Sequence, residues 1–186
     1  MRIISGILKH REIPSPPGGL TRPTTDMCRK ALFDVLDYQY CVAGARVLDL
    51  FAGSGALAFE AISRGAETAV LVDSSSEVCR HLRTTAETLG ISEIVTIMRC
   101  DALEALRFHT DEPFGLIFAD PPYARKVANS IASRITDTKV LAAGGVLALE
   151  HSDQEMFLQN PSFTVVRSLE FGVTVIDILR HVGPVT

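Results

Sequence analysis

An Asp-Pro-Pro-Tyr tetrapeptide, residues 120–123, directly follows the apolar run Phe114–Ala119, which has the length and composition of a buried strand. Because two consecutive prolines lack backbone N–H groups and fix φ at about −65°, the strand must end at Asp120. The resulting turn suits a flat heterocycle with an amino group, which would stack on Tyr123 and donate hydrogen bonds to Asp120. The tetrapeptide alone leaves open a strand-ending turn whose Tyr packs in the core.

A regular alternation of strand-like and helix-like segments begins at residue 46. Strands are predicted at Val47–Phe51, Ala69–Val72, Ile94–Met98, Leu116–Ala119 and Val146–Leu149, and helices between them at Ala56–Arg64, Ser76–Leu89, Ala102–Phe108 and Val127–Ile135. This order predicts an α/β fold with right-handed βαβ units and a mostly parallel sheet covered by helices on both faces. Two further β-rich runs, Phe163–Leu169 and Val173–Leu179, predict a terminal antiparallel hairpin and bring the sheet to seven strands.

The N-terminal region has a different pattern. Residues 2–13 alternate loosely and predict a short β-hairpin, while the Pro- and Gly-rich residues 14–19 predict a loop. An amphipathic helix is then expected to run from the N-cap candidates Thr24, Thr25 and Asp26 to about Tyr40. Because the chain shows no repeat and no second core, we expect one domain, with residues 1–23 as a basic arm and 24–186 as its core.

Composition excludes several classes of protein. The 186 residues are 47% hydrophobic and 22% charged, as in ordinary globular domains. Every apolar stretch is shorter than the roughly 18–20 residues of a membrane span, and residues 1–6 do not begin a signal peptide, so a cytoplasmic location is predicted. The four cysteines are scattered without a C-x-x-C pair, which predicts neither a zinc site nor a disulfide framework.

Charge is distributed unevenly along the chain. The net charge is −4, yet residues 1–33 hold six basic and two acidic residues, which leaves +4 on this segment and −8 on the remainder. A basic arm on an acidic body is the pattern of a surface that contacts phosphates. An ordinary solvated surface is the alternative.

A glycine turn follows the first predicted strand, where residues 47–58 read V-L-D-L-F-A-G-S-G-A-L-A. Gly53 and Gly55 permit a tight turn and the close approach of a ligand, and Ala58 permits close packing of helix on strand. A G-x-G-x-x-A pattern also fits dinucleotide binders. Asp49 favours a different ligand, because its carboxylate would repel a pyrophosphate and attract a cation. S-adenosylmethionine carries an ammonium and a sulfonium group and has no phosphate.

Acidic residues also follow the next predicted strands. Asp73 lies 24 positions after Asp49, where it can accept hydrogen bonds from ribose hydroxyls. Asp101 can accept a hydrogen bond from an adenine amino group. Capping of the following helix is the alternative role for it. Ligands of open α/β sheets bind outside the carboxyl ends of the strands. We therefore expect Asp49, Asp73, Asp101 and Asp120 to border one site for two substrates.

These motifs resemble those of a known family. Residues 48–55 (L-D-L-F-A-G-S-G) look like the cofactor motif of class I S-adenosylmethionine-dependent methyltransferases, and D-P-P-Y looks like the motif of members that methylate exocyclic amines of bases. Residues 22–33, with residues 2–6, 150–152 and 171–174, resemble a narrower group, the bacterial RsmD-type 16S rRNA guanine-N2 methyltransferases. The chain departs from that pattern at Phe171, Cys100 and Asp73, where the family usually has Tyr, often Gly and commonly Glu.

The resemblance implies a Rossmann-like enzyme that transfers a methyl group from S-adenosylmethionine to N2 of one guanosine in 16S rRNA, within a small-subunit assembly particle. The cofactor-binding residues it implies are Asp49, Phe51, Ala52, Gly53, Ser54, Gly55, Asp73, Ser74, Asp101 and Ala102. The catalytic residues it implies are Asp120, Pro121, Pro122 and Tyr123. In this scheme the guanine amine donates hydrogen bonds to Asp120 and to the carbonyl of Pro121, and Tyr123 stacks on the base.

The resemblance also indicates how the protein would meet its RNA. The candidates for RNA contacts are Lys9, Arg11, Arg22, Thr24 and Arg29. We expect a monomer that needs no metal. A DNA adenine-N6 or cytosine-N4 amino-methyltransferase is the principal alternative, because D-P-P-Y occurs there too. A nucleotide-binding oxidoreductase and a non-catalytic cofactor-binding scaffold are the other two.

Overall fold

The computed structural model describes residues 1–16, 26–40, 42–107, 112–122, 127–155 and 160–182. The helices are α1 (Asp26–Gln39), α2 (Ala56–Ser63), α3 (Ser76–Leu89), α4 (Ala102–Ala105) and α5 (Ala128–Thr138), with a short 3-10 turn at Ser92–Ile94. The strands are β1 (Arg46–Leu50), β2 (Thr68–Asp73), β3 (Val95–Arg99), β4 (Phe114–Ala119), β5 (Leu141–Ser152), β6 (Phe163–Phe171) and β7 (Thr174–His181).

The strands form one seven-stranded sheet in the order β3-β2-β1-β4-β5-β7-β6. Strands β1 to β5 pair in parallel, whereas β7 is antiparallel to both β5 and β6. The predicted α/β fold, with a mostly parallel sheet and a terminal antiparallel hairpin, is therefore confirmed. From β1 the chain adds β2 and β3 on one side of the sheet, and from β4 it adds the remaining strands on the other side. In such sheets the crevice at the carboxyl ends of these two strands is the expected place for a ligand.

The central strands β1 and β4 are buried on both faces, which explains why they are almost continuously apolar. On one face Val47, Leu116 and Phe118 pack in a core with the N-terminal segment and helices α1, α2 and α3. On the other face Leu48 and Leu50 pack in a core with α4 and α5. Because side chains alternate along a strand, Asp49 lies on the α1–α3 face, two residues beyond Val47.

The observed boundaries differ from the predicted ones mainly at β5 and α4. Strand β5 spans Leu141–Ser152, much longer than the predicted Val146–Leu149, because it pairs with β4 from Leu141 onward and with β7 as far as Ser152. Helix α4 ends at Ala105 and is followed by a turn. The predicted end of that helix at Phe108 lies outside the described residues.

The N-terminal segment is packed against helix α2. Its predicted hairpin consists of one antiparallel bridge between Arg2 and Glu12. The backbone N–H groups of Ile4 and Ser5 donate to the carboxylate of Glu60, at 2.7 and 3.0 Å. A Cβ on Gly6, which has a φ of 81°, would lie 1.7 Å from the carbonyl oxygen of Ser63. A regular β-ladder does not form because α2 takes these backbone donors.

Arg29 lies at the centre of a buried ion network that joins this segment to α1 and α2. Its side chain is 0% exposed, and its Nη2 donates to the carbonyl of Arg2 at 2.6 Å and to Asp26 at 3.0 Å. Its Nε lies 3.8 Å from the buried Glu60, which also accepts from Arg64 at 2.8 Å. The prediction that Arg29 contacts RNA is therefore wrong, because its guanidinium is enclosed and has carboxylate and carbonyl partners.

Removing the Arg29 guanidinium should strongly destabilise the protein. In Arg29→Met the side chain still fills most of the space, but Glu60 loses a cationic neighbour in a site without solvent. We expect the free energy of unfolding, measured by urea denaturation, to fall by about 3–5 kcal/mol. Lys30→Met is the matched control, since Lys30 pairs with Asp34 on the exposed side of the same helix. Its effect should be below about 0.5 kcal/mol, and equal losses in both variants would contradict the network's importance.

Candidate active site

A cavity of about 560 Å³ opens at the carboxyl edge of the parallel strands. This volume is typical of sites for small molecules and cofactors. Its lining residues are Asp49, Phe51, Ala52, Gly53, Ser54, Ala56, Leu57, Val72, Asp73, Ser74, Ser75, Val78, Cys100, Asp101, Ala102, Asp120, Pro121, Pro122 and Glu150. Five of these side chains are carboxylic acids, and no lining residue in the described part of the chain is Lys or Arg. The cavity therefore favours a cation over a pyrophosphate.

The glycine turn after β1 forms the floor of the cavity. Phe51 and Gly55 have φ values of 62° and 75°, in the left-handed region. A Cβ on Gly55 would lie 2.5 Å from the ring of Phe59 and 2.8 Å from Leu82, so only glycine fits between the turn and the two helices. Ala52 donates its N–H to the carbonyl of Val72 at 2.9 Å and so ties the turn to the end of β2.

Asp49 is buried below this turn. The side chain is 3% exposed and accepts a hydrogen bond from the backbone N–H of Ala58 at 3.2 Å. Burial raises the pKa of Asp49 from 3.8 to about 7. The hydrogen bond from Ala58 lowers the pKa, and the negative charge of the nearby Asp73 raises it further. Near neutral pH this carboxyl is thus poised between its two forms, and a cation bound beside it would favour the ionised form.

Asp73 is the last residue of β2, and Asp101 follows β3 on the same edge. Asp73 accepts from the backbone N–H of Gly53 at 3.2 Å and from that of Ser75 at 2.8 Å, and so joins the glycine turn to the start of α3. Asp101 accepts from Leu103 at 2.9 Å, which makes it the N-cap of α4. Both carboxyl groups also border the cavity. A cap and a ligand contact are compatible, because a carboxylate accepts several hydrogen bonds.

The proline turn closes the opposite side of the cavity. Asp120 follows β4 directly, and Asp120, Pro121 and Pro122 all line the cavity. The structure thus brings the predicted amine-binding turn and the predicted cofactor turn to one cavity. Tyr123 lies outside the described residues, so its stacking on a base stays a prediction.

Sequence reasoning missed several lining residues, of which Glu150 is the most informative. It lies near the end of β5, is 9% exposed and borders the cavity near Asp120. The rule that selected the four aspartates could have found it, because Glu150 follows the predicted strand Val146–Leu149 directly. Ser75, Val78, Leu57 and Cys100 gave no such signal, since small and apolar side chains at these positions also fit ordinary packing.

The predicted RNA-binding residues do not share one environment. Lys9 and Arg11 are exposed on the N-terminal segment, where Arg11 donates to the carbonyl of Thr88 at 2.6 Å. Arg29 is buried, as described above, and Arg22 and Thr24 lie outside the described residues. Within the described ranges no helix is long and apolar enough to cross a membrane, and no group of three or more His, Cys, Asp or Glu side chains could hold a metal ion.

The doubly wound sheet, the glycine turn after β1 and the acidic carboxyl edge define a class I, Rossmann-like methyltransferase. The solved structure of the Escherichia coli protein named "Putative methyltransferase yhhF" has this fold, with a TM-score of 0.87, 28% identity and coverage of 99% of both chains. The chain belongs to the family described as conserved hypothetical protein 95, whose model matches residues 1–180.

Two curated relatives agree with this assignment. The chain is 33% identical over 187 residues to the Bacillus subtilis protein named "Putative rRNA methyltransferase YlbH", which covers 98% of this chain and 100% of that one. It is also 33% identical over 150 residues to ribosomal RNA small subunit methyltransferase D of Escherichia coli K12, with coverage of 81% of this chain and 74% of that one. With the family match, these relatives confirm the resemblance to RsmD-type methyltransferases, and the protein is an enzyme of the methyltransferase class.

Proposed function

We propose that this protein transfers a methyl group from S-adenosylmethionine to the exocyclic N2 amine of one guanosine in 16S ribosomal RNA. The observation that carries the proposal is the shared cavity, in which the glycine turn and Asp49 face the Asp120-Pro121-Pro122 turn. The substrate follows the names of the relatives, because methyltransferase D acts on small-subunit ribosomal RNA by its name. A single catalytic domain with a basic N-terminal arm, acting in the cytoplasm as a monomer on an assembling subunit, completes the proposal.

The residues on the β1–β3 side fit the chemistry of S-adenosylmethionine. Asp49 would pair with the ammonium group, which offsets the unfavourable burial of its carboxylate. Asp73 has lone pairs left for ribose hydroxyls, and Asp101 lies where an adenine amine can donate to it. Gly53 leaves room for close approach of the ligand, whereas Gly55, also predicted to bind the cofactor, does not line the cavity and leaves room for Phe59 and Leu82. When bound, the sulfonium supplies the electrophilic methyl group.

The residues on the β4 side would activate the amine. The lone pair of the guanine amine is conjugated with the ring, so the nitrogen is a poor nucleophile. Hydrogen bonds from its two N–H groups to Asp120 and to the Pro121 carbonyl would pull the nitrogen towards sp³ geometry, which weakens the conjugation and aims the lone pair at the methyl carbon. The nitrogen would lose its proton after the new C–N bond has formed, so no strong base is needed. Positioning and electrostatics are then the main catalytic contributions.

The basic arm would hold the RNA phosphates. In Arg11→Ala we expect the KM for RNA to rise about 3- to 10-fold, and the slope of log affinity against log salt to become shallower by about one. The value of kcat should not change, because Arg11 lies on the N-terminal segment and not in the cavity. Arg107→Ala is the control, since Arg107 is an exposed arginine that follows α4, which packs on the other face of the sheet. If salt dependence fell equally in both variants, the basic arm would have no specific role in binding RNA.

Methyl transfer from tritiated S-adenosylmethionine tests the function directly. The acceptors are small ribosomal subunits and 16S RNA from cells that lack this gene, with duplex DNA and total tRNA as comparisons. We expect label in the small subunit or its RNA. Label in DNA would favour the adenine-N6 or cytosine-N4 alternative. Binding of NAD without binding of S-adenosylmethionine, measured by calorimetry, would favour an oxidoreductase.

A further inference from the structure

Glu150 lies beside Asp120 on the neighbouring strand. Strands β4 and β5 pair in parallel through Phe118 with Ala148 and Ala119 with Leu149. Asp120 and Glu150 are the residues that follow this last pair on the two chains, so they lie at adjacent strand ends. The two carboxyl groups border the same cavity.

Glu150 lies in the half of the sheet edge that does not contain the predicted cofactor residues. In the order β3-β2-β1-β4-β5, Asp101, Asp73 and Asp49 occupy the first three strand ends, and Asp120 and Glu150 occupy the last two. Ribose and adenine contacts are assigned to the first group. A carboxylate beyond Asp120 therefore lies on the side where the acceptor base must enter.

The end of β5 holds Glu150 in place. The strand is paired on both sides, with β4 and with β7, where Glu150 is opposite Ile176. The next residue, His151, is bonded through Nε2 to Asp177 at 3.0 Å, and its Nδ1 faces the carbonyl of Ser152 at 2.9 Å. Two acceptors on one imidazole favour its charged form, and the bond to Asp177 raises the pKa of His151. This buried ion pair joins β5 to β7 directly beside Glu150.

We propose that Glu150 is the residue that selects guanine, by accepting a hydrogen bond from N1–H of the target base. The inference rests on the proposed function and extends it to the choice of base. Guanine presents N1–H and the N2 amine as adjacent donors on its Watson–Crick edge, which is free in an unpaired base. Asp120 and Glu150, as adjacent acceptors on neighbouring strands, match that pair. Adenine and cytosine carry a ring acceptor beside their amine, so they offer no N–H group to Glu150 at that position.

The test compares guanine with 2,6-diaminopurine at the modified position of the RNA. Diaminopurine keeps the 2-amino group that receives the methyl, but its N1 is an acceptor. After the nucleotide has been mapped, either base is introduced into 16S RNA by splinted ligation, and small subunits are reconstituted from it. We expect the wild-type protein to prefer guanine by at least about 100-fold in kcat/KM, since a site built to accept a hydrogen bond rejects a partner without the donor.

The variant Glu150→Gln should lose this preference. Its carboxamide can accept from N1–H of guanine or donate to N1 of diaminopurine, so we expect the ratio to fall below about tenfold while activity on guanine drops 10- to 100-fold. Intrinsic reactivity of the two bases cancels, because both proteins are tested on the same pair. Glu170→Gln, the same change at an exposed position of β6, should leave the ratio and the rate unchanged.

Each outcome separates this inference from the proposed function. If the wild-type protein methylates guanine and diaminopurine equally well, the enzyme assignment stands and the role of Glu150 is wrong. An unchanged ratio in Glu150→Gln, with a weaker Kd for S-adenosylmethionine by calorimetry, would place Glu150 at the cofactor and also overturn the inference. If the wild-type protein modifies neither RNA under conditions where it binds S-adenosylmethionine, the proposed function itself fails.

Discussion

Asp120→Ala is expected to lower kcat by about 100- to 1,000-fold while the Kd for S-adenosylmethionine changes less than about threefold. The reason is position: Asp120 follows β4 and lines the acceptor side of the cavity, whereas the cofactor residues follow β1, β2 and β3. Loss of one group that orients and stabilises the reacting atoms has effects of this size in other enzymes. Single-turnover methyl transfer to RNA and calorimetry of S-adenosylmethionine binding measure the two quantities separately.

The matched control for that experiment is Asp153→Ala. Asp153 is an exposed carboxylate that follows β5 but does not border the cavity. It should leave both kcat and the Kd unchanged. Parallel losses of turnover and cofactor affinity in Asp120→Ala would contradict the assigned role and would make Asp120 part of the cofactor site.

Asp49→Asn is expected to weaken the binding of S-adenosylmethionine and, at pH 8, to stabilise the fold. For the wild-type protein, S-adenosylmethionine should bind more tightly as pH rises from 6 to 8, because the cation favours ionised Asp49 and the raised pKa of about 7 keeps this carboxyl protonated at lower pH. Below that pKa the Kd should weaken by about tenfold per pH unit. The variant should bind at least about tenfold more weakly at pH 8 and show little dependence on pH.

The effect of Asp49 on stability has the reverse sign. Its folded-state pKa is raised above 3.8, so the folded protein binds more protons than the unfolded chain between about pH 4 and 7, and the free energy of unfolding falls as pH rises through that window. Above pH 7 the buried carboxylate is ionised, and the free energy of unfolding is lower by about 1.4 kcal/mol for each unit by which the pKa is raised. Without ligand, Asp49→Asn should therefore unfold at higher urea concentration than the wild-type protein at pH 8. A lower midpoint would mean that the buried carboxylate stabilises the fold.

The positions of the aspartates could be predicted because they depend on one local rule. Each follows an apolar run, and parallel strands place their carboxyl ends at one edge, so a strand boundary is enough to locate Asp73, Asp101 and Asp120. Glu150 follows the predicted strand Val146–Leu149 in the same way, so the rule also locates it. The full length of β5 depends on pairing with β4 and β7, which no local pattern contains.

The burial of Arg29 could have been predicted from the helix period. Residues 29, 33 and 36 lie on one stripe of α1, and both Phe33 and Leu36 are buried. An arginine on an apolar stripe needs partners, and here they come from distant segments, Glu60 on α2 and the carbonyl of Arg2. The sum of charges over residues 1–33 cannot distinguish this buried group from exposed ones such as Lys9.

The most direct test of the central claim is mass spectrometry of nucleosides from 16S RNA of cells with and without this gene. The RNA is digested in fragments so that the modified nucleotide is located, and the deletion strain is complemented with the wild-type gene or with Asp120→Ala. We predict that one N2-methylguanosine disappears in the deletion strain, returns with the wild-type gene and does not return with the variant. An unchanged set of N2-methylguanosines, with loss of a methylated adenine or cytosine in DNA instead, would contradict the claim.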